Sequence, residues 1–245
     1  MLWHGAFPKG HVARTSVLGV QAIKRSSLTA ILVVVLLAGL PGGGEAAQHV
    51  LLLADPSDPL DAAWVHRTFG AATNYERVKI GGQAAIRAEG RQSASELYRE
   101  VAYRTSDYPW IEWAWRVDRL QSDADIRTKA AQDFAASIFL IFEEPMLFMK
   151  HSSVLSYVWI NDRMPAETLV ENPYHPGTSW SIVIESGEQR LGQWVNVRRN
   201  VAEDYRRAFG KDPPDLVKTI ALFTDNDQTG EAVTAYYGAV RALQE

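Results

Sequence analysis

The run Leu216 to Thr224 is apolar on both of its alternating faces, which is the pattern of a strand covered on two sides. Such a strand demands a layered fold. It leads into Asp225 to Gly230, a concentration of turn-forming residue types, and Ala232 to Val240 then resumes with the Val and Tyr that favour pleated surfaces. The stretch therefore reads as strand, acidic turn and strand, a hairpin around which the chain is organised. Asp133 to Phe142 repeats the doubly apolar pattern and predicts a second strand in the middle of a covered sheet.

Other segments carry a single apolar face. From Pro109 to Val117, Ile111, Trp113, Trp115 and Val117 alternate with Glu112, Ala114 and Arg116. Val78 and Ile80, then Ala84, Ile86 and Ala88, flank Gly81-Gly82 and predict a β-hairpin. Val50 to Ala54, Val154 to Ile160 and Trp180 to Glu185 read as further strands, and Ser93 to Tyr103 fits a strand as well as a short helix. Trp64 to Phe69 reads as a helical turn or irregular, and Arg119 to Gln132 as a surface loop. One helix interrupts the pattern: Asn200 caps it, Val201, Tyr205 and Phe209 recur at helical spacing, and Gly210 with Pro213-Pro214 stops it. Nine or ten short strands and one helix in the C-terminal half predict an all-β fold, an antiparallel β-sandwich of the jelly-roll kind.

The fold concerns residues 48–245 only, because residues 1–47 read as a signal peptide. Lys24 and Arg25 precede the apolar run Leu28 to Leu40, and small residues lead to a cleavage point near Ala46 or Ala47. The run falls short of the ~20 apolar residues of a membrane-spanning helix, so no stable span is expected after cleavage. Of 25 basic and 29 acidic residues, the leader holds four and one, which leaves 21 against 28 and a net charge near −7. A domain this acidic has no electrostatic footprint for nucleic acid or an anionic membrane. Cysteine is absent, so neither disulfides nor thiol chemistry contribute. The expected location is periplasmic or secreted.

Several motifs together resemble a known family. Tyr108-Pro109 stands before Trp113-x-Trp115-x-Val117. Tyr157-Val-Trp159, Ser186-Gly187, Gly192-x-Trp194 and Arg199-Asn200-Val201-x-x-Asp204-Tyr205-Arg206 follow, then Phe209-Gly210, Pro213-Pro214, Thr224-Asp225-x-Asp227-x-Thr229 and Tyr236-Tyr237-Gly238. Their order and spacing are similar to the bacterial domain of unknown function 3047, over roughly Trp64 to the C-terminus. Many members carry Asn where this chain has Gln228, an exchange of one amide for another. The resemblance implies an exported or envelope-associated protein and brings no activity with it. More loosely, the ending on Tyr-Gly-hydrophobic is similar to the last strand of galactose-binding-like jelly rolls, which include many carbohydrate-binding modules.

Three groups of residues are candidate sites. Asp225, Asp227 and Thr229 offer oxygen ligands from one turn closed by Gly230, as calcium loops do, although the same residue types also simply build turns. Trp159, Trp180 and Trp194, near strand ends or loops, can stack on a sugar or plug the sandwich. Arg198, Arg199, Asn200 and Asp204 form a polar cluster at the helix entrance, either a cap with local ion pairs or, through Arg199 and Asp204, a wall of the same cavity as Asp225 and Asp227. Catalytic patterns are sparse. Glu112 and Glu185 are the carboxylates a glycosidase would use if they stood ~5–9.5 Å apart. No two histidines have a metal-ligand spacing, and no phosphate loop or nucleophile elbow is present. The leading expectation is an exported, non-catalytic domain that binds a carbohydrate or another envelope ligand, with calcium assisting. A polysaccharide hydrolase or lyase and a structural or partner-binding module remain the alternatives.

Overall fold

The computed structural model describes residues 49–144 and 151–245, and the expected signal peptide lies outside them. In chain order the elements are β1 (Val50–Ala54), α1 (Leu60–Ala63), β2 (Val65–Thr68), β3 (Asn74–Ile80), β4 (Gln83–Gly90), β5 (Ala94–Arg104), β6 (Trp110–Arg119) and β7 (Phe134–Glu144). They continue with β8 (His151–Ile160), β9 (Leu169–Glu171), β10 (Ser179–Ser186), β11 (Val195–Asn200), α2 (Val201–Phe209), β12 (Leu216–Asp225) and β13 (Val233–Leu243). The first sheet has the order β11-β6-β13-β4-β3, with β1 also paired to β13, and the second runs β2-β5-β12-β7-β8-β10-β9. Two facing sheets make the mostly β sandwich that the patterning predicts.

The inward faces meet in an aromatic core. Trp113 lies 5.0 Å from Tyr157 and Trp115 lies 6.1 Å from Trp159, ring centre to ring centre, across the two sheets. Ile138, Leu140, Phe142, Ile220 and Leu222 fill the same layer. The outer face of the second sheet is covered as well: Phe134, Val158, Ile160 and Phe223 pack under Ile126 and Met164 from neighbouring loops. This is why β7 and β12 are apolar on both sides. At the predicted hairpin Ile80 pairs with Gln83, and Gly81 and Gly82 both take positive φ, as a two-residue primed turn requires.

Four sequence expectations are corrected. The stretch around the acidic turn is not a hairpin, because β12 belongs to the second sheet and β13 to the first. The connecting residues 226–232 cross between layers. Tyr237 holds the two layers together: its hydroxyl donates to the Phe223 carbonyl at 2.8 Å, lies 2.8 Å from Thr224 Oγ1 and accepts from Ser137 N–H at 3.2 Å. The sandwich is not wholly antiparallel, since β10 pairs with β8 in parallel, which the long connection through β9 permits. Trp64 to Phe69 contains the edge strand β2, preceded by the single turn α1. Finally, β9 and β11 are strands that no strong apolar alternation announced.

The helix α2 follows its local signals. Asn200 Oδ1 accepts from Glu203 N–H at 3.1 Å, and Gly210 ends the helix in the left-handed region at φ 68°. Val201 and Tyr205 are fully buried, and Tyr205 meets Phe142 at 4.8 Å and stacks on Phe209 at 4.2 Å. Among the described residues no helix is long and apolar enough to cross a membrane.

Candidate functional site

Burial of Ile111, Trp113, Trp115 and Val117 forces the alternate residues of β6 onto the outer face of the first sheet. Strand register then decides what stands beside them. Arg198 of β11 and Arg241 of β13 both pair with Glu112, and Asn196 pairs with Ala114. A bulge between Tyr237 and Val240 interrupts β13 here. It carries Gly238, at which an added Cβ would sit 3.0 Å from the Ala114 carbonyl oxygen and 3.3 Å from Gln83 Nε2. The result is a groove of about 580 Å³ with Ala84, Ala114 and Ala239 on its floor. Gln83, Glu112, Asn196, Arg198, Arg241 and Asp55 line its sides.

Arg198 connects this groove to a second depression. Its guanidinium stands 3.4 Å from Glu112 and 4.7 Å above the Trp110 ring centre. With Trp110, Arg199, Asn200, Glu203, Asp204 and Arg207 it lines a hollow of about 220 Å³ at the start of α2. Arg199 grips Asp204 through two hydrogen bonds of 2.8 and 2.7 Å, and Tyr157 donates to the same carboxylate at 3.1 Å. Glu167, held at φ 68°, receives Arg199 at 2.5 Å and Arg207 at 2.9 Å. The hydrogen bonds from Arg199, more than those from Arg207, hold the Glu167 carboxyl below its usual range.

The acidic turn lies elsewhere. Arg199 pairs with Ile111, whereas the turn leads into β13 opposite Arg119, eight residues further along β6 and so roughly 26 Å away. The helix entrance and the acidic turn therefore share no cavity. At the turn, carboxylate oxygens of Asp133, Asp225 and Asp227 lie within 4.8 Å of one another. Burial, reinforced by Asp133 and Asp227, pushes the Asp225 carboxyl well above its ordinary value. Thr229 stands beside Asp133 and donates to Oδ2 through its N–H at 2.7 Å and its hydroxyl at 2.6 Å. It orients a carboxylate here. Asp133 is remote in sequence, and no local signal marks it.

Of the tryptophans expected to meet a ligand, Trp159 is fully buried, with Nε1 donating to the Gly187 carbonyl at 3.3 Å. It is a core residue and offers no stacking surface. Trp180 is half-buried against the core and Trp194 is half-buried beside Val195, and neither lines the groove or the hollow. The ring that lines the hollow instead is Trp110, which opens β6 and belongs to the outward alternation of that strand. Gln83, Asn196 and Arg241 were hidden for a different reason, because pairing register rather than local pattern gathers them beside Arg198.

Glu112 and Glu185 are not brought together. Glu112 points away from the second sheet, Glu185 belongs to that sheet, and packed sheets stand ~10 Å apart before the outward direction is added. Burial pushes the Glu185 carboxyl up, opposed by Arg190 at 2.9 Å.

The fold and groove define a β-sandwich whose first sheet carries an open polar cleft on its outer face. Residues 62–241 match the sequence model of the family described as "Protein of unknown function (DUF3047)", and the chain belongs to that family. No curated protein matches. Among solved structures, the family 11 carbohydrate-binding module of the cellulosomal cellulase Lic26A-Cel5E of Clostridium thermocellum is similar at 10% identity, with 80% of this chain and 95% of that chain covered and a TM-score of 0.44. The family 30 module of the cellulase Cel9D-Cel44B of the same organism aligns at 8% identity, covering 79% and 96%, with a TM-score of 0.42. The endoglucanase cel12A from Rhodothermus marinus aligns at 10% identity over 72% and 92%, with a TM-score of 0.41.

Proposed function

We propose that this chain is an exported, non-catalytic module that binds an uncharged carbohydrate chain along the outer face of the first sheet. The groove itself carries this reading. Its lining alanines, with Gly238 packed against Ala114, let a ligand approach the sheet closely. Its rim interleaves donors and acceptors: Arg198 and Arg241 donate, Glu112 and Asp55 accept, and Gln83 and Asn196 do both. A polyol needs that mixture, because each hydroxyl donates once and accepts as well. An anionic or cationic ligand would favour a rim of one sign, whereas two arginines here face two carboxylates. Strands hold every rim residue named here except Asp55, so little ordering entropy is spent on binding. Trp110 adds a half-buried ring at the junction with the second hollow, which gives a linear ligand a continuation past Arg198.

The non-catalytic part of the reading rests on the separation of Glu112 from Glu185. The groove does hold a second carboxylate, Asp55, which accepts from Ser57 N–H at 2.8 Å within its own turn. Turnover is therefore measured along with binding. The test is retention on a panel of neutral cell-wall and plant polysaccharides, followed by calorimetric titration and a reducing-end assay. The expected result is saturable binding without product, weakened at least about tenfold (1.4 kcal/mol) in Arg241→Ala with an unchanged melting temperature. A folded chain that retains none of the panel refutes the carbohydrate reading, and release of reducing ends refutes the non-catalytic one. Export is tested by locating the intact chain in cell fractions.

A further inference from the structure

The geometry points to a structural site for a hard divalent cation, best suited to calcium, formed by Asp133, Asp225, Asp227 and the side-chain oxygen of Gln121. Three carboxylates converging within 4.8 Å do not by themselves make a metal site. The independent observation is Gln121. This residue is completely buried, and its Nε2 donates to the Asp225 carbonyl at 2.5 Å, which holds its amide against one of the three acidic residues. Its Oε1 is buried with no hydrogen-bond partner.

The unpartnered groups form a pattern. Among the described residues, the buried side-chain oxygens without a partner that can only accept are Gln121 Oε1, Asp227 Oδ1 and Gln228 Oε1. All three belong to this junction. The other such groups are ring or guanidinium N–H donors and two hydroxyls, and they are scattered over the sandwich. A buried acceptor left without a donor is destabilising, and a cluster of them asks for a positive charge. No lysine or arginine among the described residues forms an ion pair with Asp133, Asp225 or Asp227. The nearby ammonium of Lys129 instead stands 5.3 Å from the Tyr174 ring centre. Carboxylate and amide oxygens, with no nitrogen or sulfur ligand, are the donor set of a hard cation.

Placement gives the site its role. It joins the loop before β7 to the crossover between β12 and β13, the point at which the chain passes from one sheet to the other. Gln83 and Arg241, at the groove, are seven and eight residues from Gly90 and Val233, at the crossover, or roughly 25 Å along the strands. A cation there fastens the two layers and touches no groove ligand. The inference is thus independent of the carbohydrate reading, and each can fail alone.

The test uses the full chain stripped with EDTA, then titrated with calcium chloride and, separately, with magnesium chloride. Calcium is expected to bind at one site and to raise the melting temperature by several degrees, increasingly with concentration. Magnesium, which requires a tighter octahedron, is expected to do so at least tenfold less effectively. Asp227→Asn should remain folded, because Asp227 is only half-buried, and should lose at least tenfold in calcium affinity. Gln121→Glu should be less stable than wild type in EDTA and recover in calcium, which a merely structural glutamine would not do. A wild-type melting temperature indifferent to millimolar calcium overturns the proposal, as does an Asp227→Asn variant that responds as wild type does.

Discussion

Replacing Asn226 by alanine tests how the crossover between the sheets is held. Asn226 is completely buried. Its Oδ1 accepts from the N–H of Ser93 at 3.0 Å and from the Ser93 hydroxyl at 3.2 Å, and its Nδ2 donates to the Glu231 carbonyl at 2.6 Å. Truncation orphans the buried Ser93 N–H and the Glu231 carbonyl. The Ser93 hydroxyl keeps Thr73 at 3.1 Å and Arg91 N–H at 3.2 Å. One orphaned buried group costs about 1–3 kcal/mol, and the half-exposed Glu231 carbonyl falls at the low end because water reaches it. The sum is about 2–4 kcal/mol. Guanidinium unfolding followed by tryptophan fluorescence should show the midpoint falling with an unchanged slope. A loss below about 1 kcal/mol would show that the crossover does not depend on this side chain and would refute the reasoning.

Gly90→Ala should destabilise by about 1–3 kcal/mol, because the new Cβ would lie 2.6 Å from Asn226 Oδ1 and 2.7 Å from Val233 Cγ1. Combined with Asn226→Ala its cost should be less than additive, since one of the two clashes is gone, and a double-mutant cycle measures this. Tyr237→Phe should cost about 1–3 kcal/mol in the same unfolding assay, because Ser137 N–H and the Phe223 carbonyl lose the hydroxyl in the buried layer. The contribution of Glu167, whose folded pKa lies below its unfolded value, should be complete above the ordinary glutamate range and vanish as pH falls through the depressed value. Melting curves taken from about pH 6 to about pH 3 should accordingly fall more steeply for wild type than for Glu167→Gln.

How much of this was legible beforehand differs between fold and site. Alternation on β6, the doubly apolar β7 and β12, the paired glycines and the Asn200 cap are all written within a few residues, because burial of one strand face and capping of one helix are local events. β9 and β11 carry too little apolar alternation to be read that way. The acidic turn could be recognised but not placed, since nothing local distinguishes a hairpin between neighbouring strands from a crossover between layers. Arg199, Asn200 and Asp204 were singled out from helix-entrance chemistry and do line the smaller hollow. The groove was not foreseen.

The sequence by itself determined the layered β class, the covered strands, the turn types and which face of β6 looks outward. These follow from side-chain period and from the backbone demands of Gly, Pro and Asn. Only the tertiary structure decided that Arg198 and Arg241 flank Glu112, that Trp159 closes the core, that Asp133 completes the cluster begun by Asp225 and Asp227, and that Gln121 packs against Asp225. Those contacts join residues as far apart in the chain as Glu112 and Arg241, about 130 positions. Strand register and the packing of one sheet on another create them, and neither leaves a trace in any short stretch of sequence.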